Sequence, residues 1–139
     1  MKKIKNSFIL KWTLLLLFNT SIAFAQEIEW QNTIGGSDID DLKSIQQTTD
    51  GGYILGGYSN SNFSGDKDEN SMGMLDYWII KIDKSGNILW QNTIGGSGND
   101  ALHSVAQTLD GGYILGGYSN SNISGDKTED SLGVMISGS

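Results

Sequence analysis

The sequence predicts an all-β fold of tandem four-stranded antiparallel units. Three observations carry that expectation. The chain repeats itself every 60 residues. Each repeat alternates short runs rich in β-branched and aromatic residues with clusters of Gly, Asp and Asn, the punctuation of strands and turns. Proline is absent, while 19 glycines mark where the backbone must turn or be approached closely.

The repeat is unambiguous. Residues 28–73 align with 88–133 without a gap, and 34 of 46 positions are identical. Trp30-Gln31-Asn32-Thr33-Ile34-Gly35-Gly36-Ser37 returns as Trp90 to Ser97, and Asp50 to Asn62 returns unchanged at 110–122. Such near-identity implies recent duplication within a longer array. Boundaries follow from the period: a leader at 1–25, a first repeat at 26–86, and a second, truncated repeat at 87–139.

Each unit is expected to hold four strands. The first covers about 27–34, with Ile28, Trp30 and Ile34 on one face and Glu29, Gln31 and Thr33 on the other. The second covers about 43–49, the third Tyr53 to Ser59, and the fourth Tyr77 to Asp83. Turn signals separate them at 35–38, 50–52, 60–73 and 84–87. A helix competes over 39–48, where Ile39, Leu42, Ile45 and Gln46 have roughly helical spacing. The second copy breaks that spacing with Asn99, Ala101, His103 and Ala106, so a strand is preferred.

Four strands per unit, with a Trp in each and no Pro, point to propeller-like blades. A parallel β-helix has shorter coils, and an immunoglobulin-like sandwich needs about seven strands per domain. The apolar faces can be buried only against the next unit, which is why such units occur in arrays. Asp50-Gly51-Gly52 suits a tight hairpin, because Gly accepts positive φ. Gly56-Gly57 falls inside a strand, which signals a bulge or close approach of a neighbour.

Residues 1–25 have the form of an export leader. Lys2, Lys3 and Lys5 precede an apolar stretch centred on Leu14 to Phe18, and Ala23-Phe24-Ala25 is a small-x-small cleavage site. A membrane anchor would need about 20 apolar residues, and Lys11 and Asn19 interrupt the run. Cleavage after Ala25 would leave five lysines against 16 acidic residues, a net charge of −11. That excess argues against nucleic acid, whose phosphates require Lys and Arg. The absence of Cys excludes disulfides, thiolate metal sites and an acylated N-terminal cysteine.

The combination Asp76-Tyr77-Trp78-Ile79-Ile80-Lys81-Ile82-Asp83, Gly86-Asn87, Trp90, Ile94-Gly95-Gly96-Ser97, Gln107-Thr108 and Asp110-Gly111-Gly112-Tyr113 to Tyr118 is specific. It resembles the Asp-Gly-Gly-Tyr type β-propeller repeats of large secreted bacterial proteins, which in turn resemble cargo of the type IX secretion system. The resemblance covers nearly all of the chain after the leader. It implies export and a propeller fold, and it implies no catalytic activity. Two departures stand out: too few blades to close a ring, and no C-terminal sorting domain.

The copies agree up to Gly73 and Gly133 and then part. Val134 to Ser139 can be encoded as GTT ATG ATT TCT GGA TC. Read two bases later, that string gives Tyr-Asp-Phe-Trp-Ile, whose Asp, Trp and Ile fall in register with Asp76, Trp78 and Ile79. The expectation is a frameshifted or truncated fragment of a longer propeller. Open strand edges and one bare apolar face would then make the isolated chain marginally stable or prone to aggregate.

Candidate chemistry is sparse. Asp38, Asp40 and Asp41 could gather calcium, but only Asp40 recurs, as Asp100, and Asx-turn capping explains the cluster better. The loop Asn60 to Asn70 could bind calcium or a sugar; it lacks the EF-hand pattern, and a plain connection is preferred. His103 replaces Lys43 and reads as an exposed strand residue. No phosphate-binding loop follows the Gly-Gly pairs, and glycosidase-type carboxylates cannot be paired from spacing. Trp30, Trp78 and Trp90 read as blade-core packing rather than a sugar platform.

No catalytic, cofactor-binding or metal-binding residue is therefore assigned, and no cofactor, with calcium the one possibility kept open. The expected role is a non-catalytic secreted scaffold or interaction module, with neighbouring blades or other surface proteins as partners. The alternative is a calcium- or glycan-binding, lectin-like propeller module. A quinoprotein- or glycosidase-like propeller enzyme ranks last, because repeats this alike offer no one-off constellation.

Overall fold

The computed structural model describes residues 27–132. The leader at 1–25 and the divergent tail at 134–139 lie outside the described residues. Six strands are present: β1 (Asp40–Gln47), β2 (Tyr53–Ser59), β3 (Asp76–Ile82), β4 (Ile88–Ile94), β5 (Asp100–Gln107) and β6 (Tyr113–Ser119). All pairings between them are antiparallel, and no helix occurs among the described residues. β1 to β4 form one sheet in chain order, and β5 and β6 form a second sheet.

The segment 39–48 resolves as a strand, and so does its counterpart, since β1 and β5 occupy the same repeat positions. The two copies even share a register. Asp40 pairs with Ser59 and Gln47 with Tyr53; Asp100 pairs with Ser119 and Gln107 with Tyr113. The Asp-Gly-Gly hairpins form as expected: Gly51 and Gly111 have φ of 83° and 88°. Thr48 N–H donates to the Gly52 carbonyl at 2.9 Å, and Gly51 N–H donates to the Thr48 carbonyl at 2.9 Å.

One element departs from the sequence reading. Residues 27–36 form no strand, although the equivalent 88–94 is β4. The reason is the partner. β4 pairs with β3, a strand that precedes it in the chain. Sixty residues before β3 lies Leu16-Leu17-Phe18-Asn19-Thr20-Ser21-Ile22, which has none of the Asp-Tyr-Trp character of β3. A strand without a neighbour has unpaired backbone groups and no reason to extend. The sheet is therefore cut out of step with the repeat: it spans Asp40 to Ile94 and takes its fourth strand from the start of the following copy.

Two apolar clusters flank the first sheet. Ile54 and Ile79 on one face pack with Leu102 and Val105 of the second sheet, with Tyr77, Ile94, Tyr113 and Leu115 around them. Trp78, Ile80 and Ile82 on the other face pack with Ile34, Tyr53, Leu55 and Ile88. The alternation along β3 thus serves two clusters at once, as a strand's two-residue period requires. Of the tryptophans among the described residues, only Trp78 is core. Trp30 and Trp90 stay exposed and lie edge-on against Tyr53 and Tyr113, at 6.4 and 5.7 Å between ring centres. Both sit on segments at the rim of a sheet, and the Trp30 ring also lies against Gly86.

Candidate functional site

The joint between the two sheets gathers most of the unusual chemistry. Its centre is Gly56 on β2. A Cβ there would collide with Leu102 Cδ2 and lie 3.0 Å from Val105 Cγ1. The adjacent Gly57 accommodates the backbone of its own partner strand: a Cβ would collide with the Asp41 carbonyl, where the β1–β2 register shifts between Leu42 and Ser44. The paired glycines thus serve both purposes anticipated for them, a bulge and a close approach.

Polar bonds stitch the edge of this joint. Val105 N–H donates to Ser44 Oγ at 3.3 Å, Gln107 N–H to Gln46 Oε1 at 2.8 Å, and Thr49 N–H to Gln107 Oε1 at 2.9 Å. Further out, Met74 N–H donates to the Gly98 carbonyl and Asp100 N–H to the Leu75 carbonyl, at 2.8 and 2.6 Å. A parallel bridge links Leu75 with Asn99.

Two buried carboxyl groups meet there. Asp76, at the start of β3, accepts hydrogen bonds on Oδ2 from the N–H groups of Met72 and Gly73, at 2.8 and 3.1 Å. Asp100, at the start of β5, accepts on Oδ2 from Gly96 N–H at 2.8 Å and Ser121 Oγ at 2.6 Å. Each keeps its Oδ1 buried without a hydrogen-bond partner in the structure. Gly95 lies between them: a Cβ on it would collide with Asp76 Oδ1 and lie 3.0 Å from Asp100 Oδ2. Burial pushes the Asp76 carboxyl above its ordinary range, and the nearby Asp100 charge adds to the effect.

The acidic turn works as a cap. Asp40 Oδ2 accepts from Gly36 N–H at 2.7 Å and from Ser61 Oγ at 3.2 Å, and its Oδ1 accepts from Ser59 Oγ at 2.6 Å. Asp41 pairs with Lys43 at 2.8 Å and accepts from Tyr58 Oη at 2.9 Å. The Lys43 and Tyr58 hydrogen bonds hold the Asp41 carboxyl below its ordinary range. Asp38 Oδ1 accepts from Ile39 N–H at 3.1 Å. Between them the three aspartate carboxyl groups serve six backbone or side-chain partners and share none.

The 60–70 loop is a latch. Asn60 Oδ1 accepts from Ile39 N–H, Ser61 Oγ from Asp38 N–H, and Ser64 Oγ from Ser37 N–H, each at 2.9 Å. Asp66 and Gly35 exchange two bonds, and Gly65 turns with φ of 57°. Lys67 is fully buried: its Nζ donates to the Glu69 carbonyl at 2.7 Å and to Thr93 Oγ1 at 2.8 Å. Thr93 N–H donates in turn to Glu69 Oε2 at 2.5 Å. Loss of water around Lys67 pulls its ammonium below the ordinary range, against the pull of Glu69 and Asp76. The second copy repeats the latch through Asn120, Ser121, Ser124 and Asp126.

His103 is an exposed residue of β5, as expected. It borders a shallow depression with Lys43, Tyr58, Leu75 and Ala101. A second groove, of about 240 Å³, lies on the far face of the first sheet against Ile34, Leu42, Leu55, Trp78 and Ile80. Among the described residues no three His, Cys, Asp or Glu side chains are grouped to hold a metal ion, and no helix is long and apolar enough to cross a membrane.

Sequence reasoning gave no structural or chemical role to Asp76, Gly95, Lys67 or Thr93. Lys67, Glu69 and Thr93 all recur at sixty-residue spacing, as Lys127, Glu129 and Thr33. The copies agree at ten of the fourteen positions 60–73, so the retention of Lys67 did not stand out. Compared with protein-family models, with curated proteins and with solved structures, the chain matches none.

Proposed function

We propose that the chain is a non-catalytic, exported repeat module, built of blades of an incomplete β-propeller and serving as a scaffold or interaction surface of a bacterial extracellular or cell-surface protein. One observation carries the reading: Leu102 and Val105 of one unit complete the core of the unit before it, over Gly56. Units that share a core in this way are structural links of an array. The polar clusters support the same reading, since Asp40, Asn60, Ser61 and Asp66 are spent on local turns. The leader supports export, with cleavage after Ala25. Expression in a bacterial host with recovery of the exported chain tests this: mass spectrometry should find a mature N-terminus at Gln26. An uncleaved, cell-retained chain would refute export.

A second reading is favoured by the unpartnered Oδ1 atoms of Asp76 and Asp100. Buried carboxylate oxygens are ligands for a hard cation such as calcium, which fits a calcium- or glycan-binding module. Calcium titration followed by thermal melting, together with a glycan screen, separates the two. A calcium-dependent rise in Tm that Asp76→Asn abolishes would favour the second reading; flat titrations would leave the scaffold.

A further inference from the structure

We propose that copies of this chain join head to tail through the same joint that already unites its two units. The chain carries the β-hairpin part of both halves of that joint in unused form. The used tail half is Ile54 and Gly56 on β2, backed by Ile79 on β3, and the used head half is Leu102 and Val105 on β5. Sixty residues on, the tail half recurs as Ile114 and Gly116 on β6; sixty residues back, the head half recurs as Leu42 and Ile45 on β1. Engagement decides exposure. Ile54 is 0% exposed and Ile114 64%; Leu102 is 0% and Leu42 55%; Val105 is 4% and Ile45 57%. Gly56 has Leu102 and Val105 pressed against it, whereas nothing lies within 4 Å of a Cβ built on Gly116.

The occupant these faces fit is therefore a second copy, since the hairpin surface each one packs against in the internal joint recurs on the chain. Polar complementarity extends the match. In a second copy docked this way, Ser104 Oγ replaces Ser44 Oγ as acceptor, and Gln47 Oε1 would receive Leu109 N–H as Gln107 Oε1 receives that of Thr49. Lys127 and Glu129 would face Thr33 of the incoming copy as Lys67 and Glu69 face Thr93. The Gln46 bond is lost, because Ala106 stands there. The two halves differ, so the contact is heterologous and propagates until it closes.

The inference rests on the stacked-unit reading, and the experiment separates the two. Sedimentation velocity on the full chain should show a mass above the 15.0 kDa of one chain, rising with concentration up to about 100 µM. Gly116→Val fits the free chain and blocks only an incoming copy; Leu42→Asp spoils only the head. Each variant alone should sediment as one chain. Their equimolar mixture should form a two-chain species and nothing larger, because one intact tail meets one intact head. A wild-type chain that stays at one-chain mass, association that survives in either variant, or a mixture that stays dissociated would each overturn the proposal. Gly56→Val monitors the internal joint: if it leaves the unfolding midpoint unchanged, the stacked-unit reading itself has failed.

Discussion

Leu102 occupies the volume that a side chain on Gly56 would need, so one residue of each unit is shaped by the other. The relationship makes position 56 asymmetric with its copy at 116. Gly56→Ala is expected to cost about 1–3 kcal/mol through overpacking. Gly116→Ala meets open space and should stay within about 0.5 kcal/mol of the parent. Urea midpoints at low micromolar concentration measure both.

Gly95 separates the carboxyl groups of Asp76 and Asp100. Gly95→Ala would force a methyl into Asp76 Oδ1, with the Asp100 carboxyl close by. A loss of about 1–3 kcal/mol is expected, the range for inserting a methyl into a packed interior. Equal stability of parent and variant would mean the two aspartates have room to part.

Asp76 sets a pH dependence. Its folded pKa lies above the ordinary 3.8, so the folded state holds the proton longer than the unfolded chain. Stability from this group therefore falls as pH rises from about 4 through the folded value, and the full cost of the buried charge is present beyond it. Asp76→Asn keeps the acceptor for Met72 and Gly73 and removes the charge. The variant should gain about 1 kcal/mol at pH 7 and nothing at pH 3. Denaturation midpoints across that span provide the check.

Asp50 behaves in the opposite sense. The Thr48 hydroxyl, Gly52 N–H and the Lys81 ammonium hold its carboxyl well below the usual range. Stability from Asp50 is present above its ordinary pKa and is lost as pH falls through the folded one. Asp50→Asn should lower Tm at pH 7, with the difference fading in strong acid. Lys81 is buried and 3.0 Å from Asp50, so the variant also strands a buried cation. Asp110 has the Thr108 and Gly112 bonds without a lysine, so Asp110→Asn should have the smaller effect.

How much of this was legible in the sequence depends on how far away each cause lies. β2 and β6 were readable because a seven-residue alternation between Gly turns specifies a strand locally. The Asp-Gly-Gly hairpins were readable for the same reason. The strand expected at 27–34 failed because a strand is a property of a pair, and its partner would have to come from an earlier unit. The core roles of Trp30 and Trp90 failed with it: both lie on rim segments, while Trp78 is flanked on both sides of β3. Asp76 and Asp100 begin two strands 24 residues apart, so only the fold brings them to Gly95. Lys67 sat in a loop that composition marks as solvated, and its burial depends on a threonine in another strand.

The out-of-step cut of the sheet has a hereditary consequence. The four-stranded sheet ends on a strand encoded by the next 60-residue cassette. Unequal crossing-over between the near-identical halves inserts or deletes a whole period wherever the exchange falls, and every interior sheet still receives four strands. An array built of such cassettes would lengthen or shorten in a single recombination, leaving no faulty seam behind.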